Sequence, residues 1–161
     1  MPRVCVDTQI WEYANTEAVE PGFEPLHQQA GEWLRGVLSD KQTIVVFSLF
    51  EVAEILEVFR KQGVEAERRA ALLTDLLALA GKYEVVPVDV THVAAGSQLS
   101  SASGVHLWDY LVALPVAPHV STIYSCDRHF QHEDFKRLCT VENPLGWETV
   151  EGQKPQALGA T

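Results

Sequence analysis

Short strands that alternate with helices predict an α/β fold with a parallel sheet between helical layers. One of those strands, Thr43-Ile44-Val45-Val46-Phe47, is apolar and β-branched along most of its length, as burial on both faces requires. The chain has 161 residues, enough for one compact core and too few for two. A domain of this size buries about 70% of the surface its unfolded chain exposes, so it needs no disulfide or metal staple. With 47% hydrophobic and 21% charged residues, the composition excludes a disordered or fibrous protein.

The elements follow in order. Arg3-Val4-Cys5-Val6 is a short apolar strand ending at Asp7-Thr8, and a loop from Asn15 to Pro25 carries the breakers Pro21-Gly22 and Pro25. Leu26 to Leu38 is amphipathic, with Leu26, Ala30, Trp33, Leu34 and Val37 on one helical face. After the strand at 43–47, Ser48 is placed to cap a helix over Leu49–Lys61 that Gly63 ends. A further helix spans Glu65 to Ala80, closed by Gly81, and a third strand runs from Tyr83 to Val88. Helices over Val90–Ser101 and His106–Leu114, a strand over Val120–Tyr124, a short helix over Phe130–Arg137 and a strand over Leu138–Val141 complete the pattern. We assign residues 1–151 to one domain. From Gly152 the apolar pattern gives way to Gly, Pro, Gln and Ala, which predicts a flexible tail over 152–161.

Charge and cysteine usage narrow the function classes. Twelve Lys and Arg against 22 Asp and Glu give a net charge of −10, which excludes nonspecific duplex binding across a broad basic face. No stretch approaches the ~20 apolar residues of a membrane span, and the N-terminus has no signal-peptide pattern. The odd set Cys5, Cys126 and Cys139 has no CxxC spacing and predicts reduced thiols in a cytoplasmic protein.

The acidic residues carry the chemistry. Asp7 follows the first strand and Asp127 follows the fourth. In an open parallel sheet, ligands bind beyond the carboxyl ends of the strands where strand order reverses. Asp109 stands in a helical first turn between apolar neighbours, in Leu107-Trp108-Asp109-Tyr110-Leu111. Glu51, Glu54 and Glu57 form a drifting stripe opposite Val52, Ile55, Leu56 and Phe59, and periodicity does not choose among them. Two carboxylates ~5 Å apart repel by ~3 kcal/mol at an effective dielectric of about 20. A converging set therefore needs a counter-charge, and hard oxygen donors suit Mg²⁺ or Mn²⁺. Such an ion polarises a phosphodiester and lowers the pKa of an attacking water.

Four segments resemble the PIN-domain ribonucleases, the fold of VapC-type toxins. Val6-Asp7-Thr8-Gln9-Ile10 resembles their opening hydrophobic-Asp-Thr-Asn, with Gln9 in place of Asn. Ser48-Leu49-Phe50-Glu51-Val52-Ala53-Glu54-Ile55 is similar to the Ser/Thr-led helix whose Ala-Glu-Ile step carries the second acid, which points to Glu54 rather than Glu51. Gly104 to Ala113 resembles the stretch bearing the third acid, here Asp109, and Ser125-Cys126-Asp127-Arg128-His129-Phe130 the stretch bearing the fourth, Asp127. The resemblance implies strand order 3-2-1-4-5 in a three-layer sandwich. It also implies Asp7, Glu54, Asp109 and Asp127 as catalytic metal ligands for Mg²⁺ or Mn²⁺, with Thr8 and Ser125 in support. The activity implied is cleavage of RNA, with an antitoxin protein and a homodimer as partners. Pro115 and Pro118 fall where the family's helix continues, so the helix is expected to end early or kink.

Other readings compete. The same fold with a weak site would act as a binding module, and a different metal phosphohydrolase would turn over small phosphate esters. His129 and His132 with Cys126 or Cys139 have a spacing that zinc could use. Arg68, Arg69, Arg128, Lys136 and Arg137 are candidates for phosphate contacts, and Trp11, Tyr13 and Trp108 for stacking on unpaired bases. The apolar helix pair Leu49–Phe59 and Ala71–Leu79 offers a dimer face or an antitoxin groove.

Overall fold

Alternating side chains on the two central strands divide the core into two layers. The structure, a computed structural model, describes residues 1–78 and 81–159, without the side chain of residue 77. In chain order the elements are β1 (Arg3–Val6), α1 (Thr8–Asn15), α2 (Glu24–Ser39), β2 (Ile44–Ser48), α3 (Leu49–Lys61), α4 (Ala66–Ala78), β3 (Tyr83–Val86), α5 (Val90–Ser103) and α6 (Leu107–Val116). Then come β4 (Thr122–Tyr124), α7 (Glu133–Leu138), β5 (Thr140–Glu142), β6 (Trp147–Glu148) and β7 (Gln156–Ala157).

The five main strands pair in parallel in the order β3-β2-β1-β4-β5, the order the resemblance implied. From β1 and β2, Val4, Val6, Val45 and Phe47 join one core with Ile10, Leu26, Leu34 and Ile55 from α1, α2 and α3. Cys5 and Val46 point the other way and join Tyr110, Val112, Val116, Phe130 and Phe135. The two-residue period of a strand thus feeds both layers of the sandwich. Each fully buried Val or Ile here contributes about 1.5–3 kcal/mol relative to exposure.

Several boundaries differ from the sequence reading. The segment after β1, given no structure there, is the helix α1, with Ile10 and Trp11 buried against the sheet. The helix expected to end early or kink at Pro115 and Pro118 passes Pro115 by one residue, to Val116, and there tightens into a 3₁₀ turn over Ala117–His119. Pro115 has no N–H to donate and its ring crowds the carbonyl four residues back, so the α-helical pattern stops within one residue of it, with Pro115 and Val116 both buried. The helix expected over 65–80 is described as far as Ala78; the remainder of that expectation lies outside the described residues. The segment expected to be a loose tail folds back in part. Gln156–Ala157 pairs antiparallel with Trp147–Glu148, and the Leu158 amide donates to the Gly146 carbonyl at 2.8 Å.

Strand order reverses between β1 and β4, which lie side by side, with the Asp7 amide donating to the Tyr124 carbonyl at 2.9 Å. Their carboxyl ends open onto one crevice, whose far wall is the start of α6. Close packing of α5 on α6 sets that wall. At Gly96 a Cβ would lie 3.0 Å from Leu107 Cδ1 and 3.2 Å from Tyr110 Cβ, so the helices approach over a bare backbone. Gly96→Val is expected to destabilise the fold by about 1–3 kcal/mol, the usual cost of overpacking. Urea denaturation measures it, as a lower midpoint at unchanged slope.

Candidate metal centre

Asp7 holds the N-cap position of α1, yet its side chain makes no capping bond. An ordinary N-cap aspartate would accept from the next turn's amides. Here Oδ2 accepts instead from the Ser125 hydroxyl at 2.9 Å, across the β1–β4 seam. The side chain is only 4% exposed, and it lines a cavity of about 530 Å³ together with Glu54, Asp109 and Asp127. The four sequence-nominated acids therefore share one cavity, though they come from the β1–α1 junction, α3, α6 and the turn after β4.

Each acid is held by a single polar neighbour or a few. The Thr8 hydroxyl donates to Glu54 Oε1. The Ser125 oxygen also accepts from the Asp127 amide at 3.0 Å, so one serine ties two of the acids. Gln9, which stands where the family pattern has Asn, donates from Nε2 to Asp127 Oδ2 at 3.4 Å. Its Oε1 accepts from the Thr149 hydroxyl. Asp109 Oδ2 lies 3.1 Å from Nδ1 of His129. Asp127 Oδ1 accepts from the His129 amide at 2.9 Å, which is the Asx-type turn a lone aspartate would make.

Electrostatics show what the cluster lacks. Burial, then the charges of Asp109, Asp127 and Glu54, push the Asp7 carboxyl well above the usual aspartate range. Burial and Asp127 push Asp109 up to about 6, with His129 pulling the other way. Burial also raises Glu54, against the Thr8 hydrogen bond, and it raises Asp127. Oxygen-rich donors whose charges go uncompensated by the protein fit a divalent cation, which would be their missing counter-charge.

Glu51, the competitor of Glu54, is fully buried and lines no part of this cavity. Its Oε2 faces Cys5 Sγ at 3.5 Å, and Oε1 has no partner among the described residues. Burial, then the nearby charge of Asp7, pushes this carboxyl well above its ordinary value. Two residues that sequence reading did not nominate also reach the site, Lys61 on its wall and Glu151 on its rim, while His129, read there only as a possible zinc ligand, stands on the same rim. Position in the fold, not pattern, reveals them.

The other sequence candidates scatter. Trp11 is core, stacked obliquely on Phe47 with its indole N–H on the Val6 carbonyl at 3.0 Å. Trp108 is 54% exposed on the cavity wall and lies flat on Phe50, with ring centroids 5.5 Å apart. Arg137 pairs with Glu133 and Arg128 lies 3.8 Å from Glu148, away from the cavity. His129 and His132 do not converge, because His132 caps α7 through the Asp134 amide.

No family model matches the chain, and no curated protein matches it. Among solved structures, it is similar to a chain from the crystal structure of VapBC2 from Rickettsia felis bound to a DNA fragment from their promoter. The TM-score is 0.51 at 14% identity, over 88% of this chain and 98% of that one. The fold is PIN-like. At that identity the likeness speaks for the VapC-like architecture, while the site must be argued from its own atoms.

An acid whose folded pKa is raised keeps its proton longer in the native state, so stability is lost as pH rises through the folded value. For Asp109 that window runs from about 4, the unfolded value, to about 6, and the upward shifts of Asp7 and Glu51 act in the same direction. The melting temperature in EDTA is therefore expected to fall between pH 4.5 and pH 8. Asp7→Asn and Glu51→Gln should each flatten that fall and raise the melting temperature at pH 8, read by calorimetry. A curve that rises with pH would contradict the uncompensated cluster.

Proposed function

We propose that this chain is a metal-dependent endoribonuclease, with Asp7, Glu54, Asp109 and Asp127 holding one or two Mg²⁺ or Mn²⁺ ions. The observation that supports it most is the convergence of four carboxyl groups, all with raised pKa, at the crevice between β1 and β4. A divalent cation bound there polarises a phosphodiester and offsets charge on the leaving oxygen. The chain's own residues supply the rest. Ser125 and Thr8 orient Asp7 and Glu54, Gln9 orients Asp127, and none of them needs to act as a nucleophile.

With a net charge of −10, the protein repels a polyanion except where a cation bridges the two. Affinity must then come partly from bases, and the exposed face of Trp108 beside the acids is suited to stack on an unpaired one. This favours single-stranded or looped RNA over a duplex, whose bases are already stacked. An antitoxin protein and a second copy of the chain belong to the same reading. Its support is the VapBC2 likeness and the groove between α3 and α4, lined by Phe59, Leu72 and Val64 of the turn that joins them.

The test is cleavage of a mixed pool of structured RNAs in Mg²⁺, Mn²⁺ or EDTA. Wild type should cut with either metal and stop in EDTA. Asp7→Asn and Glu54→Gln should each lose about a hundredfold or more, the scale for removing a charge-stabilising group from a site of this kind. Metal binding without cleavage of any RNA would favour the module reading, in which the site is weak and the fold serves binding.

A further inference from the structure

The cavity's rim adds a nitrogen donor to the oxygen set. His129 stands two residues after Asp127, and the turn capped by Asp127 fixes where its ring emerges. Nδ1 faces the acids, 3.1 Å from Asp109 Oδ2 and 3.7 Å from Asp127 Oδ1. One ligand atom from each of Asp109, Asp127 and His129 lies within 4.8 Å of the other two. The far side of the ring is also set. Nε2 lies 3.9 Å from Glu151 Oε2, and the same oxygen is 2.8 Å from His106 Nε2. His106 stacks on His129 with ring centroids 5.7 Å apart.

A second feature of the same cavity calls for a ligand independently. Asp7 is 96% buried, since 4% of it is exposed, and only Oδ2 has a hydrogen-bond partner among the described residues. Its remaining oxygen belongs to the side chain that lines the cavity beside Asp109 and Asp127.

Resting on the carboxylate–cation reading above, we infer that His129 is a metal ligand through Nδ1, completing a mixed nitrogen–oxygen site with Asp109 and Asp127. Such a site discriminates among cations. Mg²⁺ prefers oxygen donors and near-ideal octahedral geometry, whereas imidazole suits the borderline transition metals. Mn²⁺ accepts both donor types, so it is the preferred occupant over Mg²⁺. On the far side of the ring Glu151 lies beyond hydrogen-bond reach of Nε2 and pairs with His106 instead.

Pulsed electron paramagnetic resonance of the Mn²⁺-loaded full-length chain tests the inference without turnover. Wild type should show nitrogen modulation of an imidazole ligand, and the pattern should change when histidine is labelled with ¹⁵N, which requires no substitution. His129→Ala should abolish the modulation, and His106→Ala should keep it. By calorimetry, His129→Ala should cut the preference for Mn²⁺ over Mg²⁺ by about tenfold or more. Mn²⁺ binding that Asp7→Asn weakens, with no nitrogen modulation in wild type, would overturn the histidine ligand and leave the carboxylate site standing. Modulation that survives His129→Ala would overturn the assignment to this ring. No Mn²⁺ binding at all would overturn both readings.

Discussion

Mutual repulsion among four carboxyl groups is the constraint around which this end of the molecule is arranged. Left to themselves, Asp7, Glu54, Asp109 and Asp127 would separate into solvent, where each ionises without cost. They are held together because the elements that carry them are stabilised elsewhere. β1 is pinned between β2 and β4, α3 by Val52, Ile55 and Phe59, and α6 by a nearly all-buried stretch from Tyr110 to Val116. Apolar burial in two core layers thus sustains a polar cluster at their edge, where the pKa values of all four acids rise.

The partners of those acids are chosen to position them rather than to neutralise them. Ser125, Thr8 and Gln9 are neutral donors, and each fixes a carboxylate without cancelling its charge. His129 is the exception, and it approaches through a ring nitrogen that can accept a metal as readily as it can face an acid. A salt-bridged network built for stability would have placed arginines here. Three of the chain's arginines pair instead with other acids, Glu57, Glu84 and Glu133.

Much of this was legible in the sequence because the signals were local. The β-branched run before Ser48 is β2, and Ser48 caps α3 by accepting from the Glu51 amide, as its position predicts. Acids placed directly after apolar strands point to a switch-point crevice once the sheet is parallel. What escaped depends on contacts distant in sequence. α1 was missed because its burial depends on α2 packing across it. The choice between Glu51 and Glu54 rests on helix rotation, which turns one into the core beside Cys5 and the other into the cavity. Glu151 is the last residue before the stretch that reads as a tail, and it reaches the site because Thr149 bridges to the Asp127 turn, its amide donating to the Cys126 carbonyl at 2.8 Å and its carbonyl accepting from the Arg128 amide at 2.9 Å. Thr149 shows the same effect, since its hydroxyl reaches Gln9 from the far end of the chain.

The central claim is that these carboxyl groups share one divalent cation site. An anomalous difference map from crystals grown with Mn²⁺ tests it most directly. The account predicts a peak in the crevice between β1 and β4, within coordination distance of carboxylate oxygens from Asp7, Asp109 and Asp127. A fully loaded crystal with no peak there, or with its peaks confined to surface acids, would contradict it.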